Sequence, residues 1–143
     1  VSNLGNVPLN NLQLLEDLFG SAASAFNGAT AISIAAPPTI VSGPLTTPNP
    51  NFNGNSDKRL LSGTESLNVG QSATLRFSVR VTPGANLGPY SNSIIGNGTS
   101  PGGTPVTDVS EDRTGQPTTN PDPDGDGNPG NNNTPSTLTF GST

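Results

Sequence analysis

The segment whose residue types and spacing suit a definite chemistry is Asp122-Pro-Asp-Gly-Asp-Gly-Asn128. Carboxylates at its first, third and fifth positions, with Gly at the sixth, open the loop of a calcium-binding EF-hand. Hard oxygen donors two residues apart can converge on one cation. An EF-hand proper is excluded, because its twelfth position, which needs a bidentate Glu, is Asn133, and neither flank reads as a helix. The expectation is an EF-like loop grafted on a β scaffold, with Asp122, Asp124, Asp126 and Asn128 holding calcium. Asp108, Glu111 and Asp112 form a second acidic group at the end of an expected strand, from which Asp108 and Asp112 could add ligands. Calcium suits the loop better than magnesium, which keeps several waters and takes few carboxylates. The competing reading is a flexible acidic linker, since the stretch 113–135 is too rich in Pro, Gly and Asn to pack unaided.

Other chemistry is largely removed by composition. The chain has no Cys, His, Met or Trp, and one Tyr. Thiolate nucleophiles, imidazole bases and the usual zinc and haem ligands are therefore missing. Its serines have no His to activate them, and paired acids for glycoside hydrolysis would need an aromatic-lined cleft. No enzyme is expected. The net charge of −5 is concentrated, because Asp108, Glu111, Asp112, Asp122, Asp124 and Asp126 share their stretch with Arg113 alone. Nucleic-acid binding needs the opposite sign. No apolar run approaches the roughly 18 residues of a membrane span. Because the sequence does not open on Met, Val1 is read as a position in a processed or longer chain.

The elements that must position these residues are short strands. Apolar residues make up 29% of the chain, while Gly and Pro number 18 and 15, so the apolar residues must cluster between many turns. The clearest strand covers 73–82, where Ala73, Leu75, Phe77, Val79 and Val81 alternate with Thr74, Arg76, Ser78, Arg80 and Thr82. Further strands are expected at 31–35, 39–41, 66–69, 90–95, 105–109 and 136–140, with Pro37-Pro38 as a loop. Between 12 and 26, the spacing of Leu12, Leu15, Phe19, Ala22 and Phe26 fits a helix capped by Asn11. Lys58 falls in a polar turn over 54–59. That placement favours an ordinary solvated lysine over the Lys–Asn isopeptide crosslinks found in some surface modules.

The order of Asn3-Leu-Gly-Asn-Val-Pro-Leu9, Leu14-Leu-Glu-Asp-Leu18, Asn49-Pro-Asn-Phe-Asn-Gly54, Leu60-Leu-Ser-Gly63, Leu67-Asn-Val-Gly70, Tyr90-Ser-Asn92 and Thr107-Asp-Val-Ser110 resembles the bacterial conserved-repeat domain of unknown function found in giant surface proteins. The resemblance runs over about residues 1–139. It implies an immunoglobulin-like antiparallel β-sandwich with long loops, spanning 1–143 as one repeat with its acidic loop at 108–135. It also turns 12–17 from helix into a strand entering a short helical turn, and implies a first strand before Asn3 for which Val1-Ser2 is too short. The function it implies is a structural or adhesive spacer at the bacterial cell surface. The expected partners are neighbouring copies or repeats, or a glycan or protein ligand at an adhesin tip.

Overall fold

The computed structural model describes residues 1–113 and 122–142, and the chain is all-β with antiparallel pairing throughout these residues. Eight strands form: β1 (Leu9–Leu15), β2 (Ala31–Ser42), β3 (Glu65–Leu67), β4 (Thr74–Thr82), β5 (Tyr90–Asn92), β6 (Ile95–Thr99), β7 (Pro105–Val109) and β8 (Ser136–Leu138). A four-stranded sheet has the order β3-β1-β6-β7, while β2 pairs with β4 and β5 with β8.

The alternation read in 74–82 holds along β4, whose Thr74, Arg76, Ser78, Arg80 and Thr82 are exposed while Leu75, Phe77, Val79 and Val81 are partly buried. Leu75, Phe77 and Val79 of β4, with Ile32 and Ile34 of β2, pack on Leu14 of β1 and on Leu18, Ala25, Phe52 and Leu60. Phe52 meets Phe77 edge-on at 5.1 Å between ring centres, an arrangement the ring quadrupoles favour. A second cluster, Leu12, Leu45, Leu61, Leu67 and Ala73, continues this core along the same layer interface, with Leu75 touching both.

Several expectations are corrected. Over 12–26 the strand that the resemblance implies at 12–17 is present, as β1 to Leu15, and the helix that the spacing fits is not: turns and bends occupy 19–28. Pairing decides this, since β1 is hydrogen-bonded on both sides, to β3 and to β6. Four residues of β1 oppose three in each ladder, Leu9 to Leu12 against Leu67 to Glu65 and Asn10 to Gln13 against Thr99 to Asn97. This bulge contains Asn11, at φ 51°, a conformation that Asn adopts more readily than most residues. Beyond it Leu12, Leu14 and Glu16 are buried in alternation.

Pro37-Pro38 is no loop but lies inside the continuous strand β2. Among the described residues the strand pairs only with β4, and its register shifts on either side of Ala36, which is where a sheet tolerates residues without an N–H. Residues 90–95 split between β5 and β6, because the chain leaves β8 for β1 and β7 at Ser93-Ile94. Val1-Ser2, expected to be too short to pair, does pair: Ser2 bridges Ser72, and Asn3 N–H and Ala73 N–H donate to Gln71 O and Val1 O. The region around Lys58 is also more than a turn, since Leu15 bridges Arg59 and Glu16 N–H donates to Lys58 O at 2.8 Å.

Candidate functional site

The acidic loop is tied to the scaffold at both ends. Asp112 N–H donates to Thr134 O at 2.7 Å, Thr134 N–H donates to Glu111 Oε2 at 2.5 Å, and Ser136 Oγ donates to Asp112 Oδ1 at 3.0 Å. These bonds join the exit of β7 to the entrance of β8. Between them Asp122, Asp124 and Asp126 place one carboxylate oxygen each within 4.8 Å of one another.

Backbone and side-chain donors hold these carboxylates. Gly125 and Gly127 N–H donate to the two oxygens of Asp122 at 3.1 and 2.8 Å, Asp126 N–H to Asp124 Oδ1 at 3.3 Å, and Asn128 N–H to Asp126 Oδ1 at 2.8 Å. Asn131 Nδ2 adds a bond to Asp126 Oδ2 at 2.7 Å. The Gly127 N–H leads the contacts that hold Asp122 below the usual carboxylate range, against an opposing effect of burial. Each ionised carboxylate offers about four lone-pair sites, so the oxygens engaged by N–H groups keep capacity for a hard cation.

Of the six residues expected to bind metal, Asp122, Asp124 and Asp126 come together. Asn128 continues the same turn through its own N–H. Asp108 and Asp112 do not join the three-aspartate group. Asp108 sits on β7, where burial pushes its carboxyl up while the Val109 N–H opposes this at 3.0 Å. Asp112 accepts from Ser136. Residues 114–121 of the expected acidic loop lie outside the described residues.

A second polar site was not anticipated from the sequence. Glu16 is 0% exposed, and its Oε2 accepts from Asn92 Nδ2 at 2.8 Å. Its Oε1 and Asn92 Oδ1 are buried and find no hydrogen-bond partner among the described residues. Burial pushes the Glu16 carboxyl up to about 7; the Asn92 bond opposes this, and the nearby Asp17 charge adds to it. The other buried glutamate, Glu65, has its Oε2 accept from both Thr46 and Thr47 N–H at 2.7 and 3.1 Å. Beside Glu16, Asp17 accepts from Ser24 Oγ at 2.5 Å and Lys58 Nζ at 3.0 Å. Burial pushes the Asp17 carboxyl up, but these two partners and Ser21 hold it below the usual range. Lys58, Asp17, Asn92, Ser91 and Ser93 line one cavity of about 400 Å³. The available signal was the period of β1, since alternation from Leu12 and Leu14 brings Glu16 inward.

No protein-family model, curated protein or solved structure matches this chain.

Proposed function

We propose that this chain is a non-enzymatic structural spacer of an extracellular bacterial surface protein or fibre, immunoglobulin-like in its architecture, whose acidic loop is stiffened by calcium. The observation that carries this reading is the convergence of Asp122, Asp124 and Asp126 in an exposed loop anchored to β7 and β8. A cation there offsets repulsion among three carboxylates and orders a segment without apolar residues of its own. Asp122, Asp124, Asp126 and Asn128 are the proposed ligands, and Asp108 and Asp112, which stand apart from the three-aspartate group, are proposed for a second ion. A glycan or protein ligand fits less well, since five Phe and one Tyr are the only aromatics and several of them are engaged with one another in the interior.

Calcium at several millimolar should raise the melting temperature by a few degrees. Extracellular modules bind calcium with dissociation constants of about 0.1–1 mM, which corresponds to about 1–2 kcal/mol of added stability at such concentrations. EDTA should cancel the shift, and Asp124→Ala should remove most of it. Superimposable melting curves with and without calcium would sink the assignment.

A second reading, the self-assembling subunit joined by strand sharing, is favoured by a crevice of about 300 Å³ between the layers, lined by Leu9, Leu12, Leu14, Leu75, Phe77 and Val106 among others. Strand β7 is the adjacent sheet edge, and open edges accept added strands. Sedimentation of the purified chain should then show concentration-dependent association, which Val106→Lys at the crevice suppresses. A monomer at all concentrations up to about 100 μM, far above the dissociation constant of a stable complex, would leave only the spacer reading.

A further inference from the structure

Leu75, Phe77 and Val79 of β4 face the core, yet they are only partly buried. The strand lacks a neighbour, because β4 pairs with β2 on one side and, among the described residues, with no strand on the other. Thr30 N–H donates to Thr82 O at 2.8 Å and Thr39 Oγ1 to Arg76 O at 3.4 Å, so the even-numbered residues of β4 turn their backbone groups toward β2. Successive residues of a strand turn theirs to opposite sides. The N–H and C=O of Leu75, Phe77 and Val79 therefore face the open side.

A pairing already starts on that side. The Val1 amine donates to Ala73 O and Ala73 N–H to Val1 O, both at 2.9 Å, and Ser2 bridges Ser72 in the antiparallel sense. Two bonds within one opposed pair mark the closely bonded step of an antiparallel ladder, and the next such steps along β4 fall at Leu75, Phe77 and Val79. The crevice of about 300 Å³ opens beside them, lined by Val1, Leu75 and Phe77 and, across the layers, by Leu12, Ile94 and Val106, with no residue of β2 in its wall. On the outer face Arg76 and Arg80 are exposed opposite Thr39 and Ser33 of β2, and neither makes an ion pair among the described residues.

We propose that the open side of β4 accepts an extended segment of another chain as an added antiparallel strand, with aliphatic side chains opposite Leu75, Phe77 and Val79 and acidic ones opposite Arg76 and Arg80. Directly opposed residues send their side chains to the same face, so the aliphatic ones enter the crevice and the acids meet the arginines outside. The added backbone takes up the free N–H and C=O groups, which supply the affinity in strand addition. Strand β7, the other edge bordering the crevice, is the poorer acceptor, since Pro105 has no N–H and Asp108 repels acids. A folded second copy does not supply the segment, because its strands are already paired among the described residues and their apolar faces are turned to its own core. The proposal rests on the strand-accepting crevice of the second reading above and adds the edge, the direction and the chemistry of the partner.

The probe is the peptide acetyl-Glu-Val-Thr-Val-Glu-Val-Thr-amide, which sets its valines opposite Val79, Phe77 and Leu75 and its glutamates opposite Arg80 and Arg76. Added at about 1 mM to the 143-residue chain, it should raise the melting temperature and slow amide exchange at Leu75, Phe77 and Val79. A peptide of the same composition ordered Val-Val-Val-Thr-Thr-Glu-Glu should do neither. Arg76→Glu, a change on the exposed face, should weaken the first peptide about fivefold and should prefer the version with Lys in place of its second Glu. No melting shift, or protection at Val106 and Asp108 in place of β4, overturns the proposal, and so does equal affinity of both proteins for both peptides. A chain that stays monomeric in sedimentation yet takes up the peptide sinks self-assembly while this acceptor stands. One that associates without taking up the peptide does the reverse.

Discussion

Glu16→Gln should flatten the pH dependence of stability and raise the unfolding free energy near pH 8 by about 3 kcal/mol. The folded-state Glu16 carboxyl lies near 7 against an ordinary value of 4.5. Between those values the folded chain binds a proton that the unfolded chain has released. This contribution to stability is fully present below about pH 4.5, falls as pH rises through the window, and is lost above about pH 7. Burial is the main cause, since Glu16 is wholly enclosed and Asn92 satisfies only one of its oxygens. Gln presents an N–H₂ to Asn92 Oδ1 and a carbonyl to Asn92 Nδ2, which reproduces the neutral pair at every pH. Urea titrations at about pH 5 and 8 on both proteins read the difference. Parallel pH profiles would mean that water reaches Glu16 and that its carboxyl titrates normally.

Gly54→Ala should cost about 2–5 kcal/mol, the sum of two separate effects. Gly54 has φ +71°, a backbone that an L side chain adopts at a cost of about 1–2 kcal/mol. A Cβ built there would also lie 2.6 Å from Cβ, Cγ and Cδ1 of Leu18. Leu18 cannot move aside easily, because it is 1% exposed in the cluster of Leu14, Ala25, Phe52 and Leu60, and its N–H and that of Phe19 donate to Gly54 O. Overpacking of such a core costs about 1–3 kcal/mol. Gly70 supplies the control: it has φ +78° but nothing within 4 Å of its would-be Cβ, so Gly70→Ala should show only the backbone effect. Urea midpoints for the two variants separate clash from strain. Equal losses would show that Leu18 gives way.

The sequence by itself determined what depends on residues close together in the chain. Alternation from Leu75 to Val81 needs no partner strand to be read, and it holds in β4. The acidic segment needs only its own spacing, and Asp122, Asp124 and Asp126 do converge. Helical spacing over 12–26 opposed the strand that the resemblance implies at 12–17, because periodicity describes one face of an isolated segment, whereas pairing of β1 on both sides, with a bulge at Asn11, selects the extended chain. The prolines of β2 misled in the same way, since a residue without an N–H is excluded only where that edge must bond, and β2 bonds on one side. The pairing of Glu16 with Asn92 was decided by tertiary structure alone. The two are 76 residues apart in the chain. The inward phase of Glu16 was legible from Leu12 and Leu14, but which buried group would meet a carboxyl there is fixed by sheet order, and no local pattern carries that order.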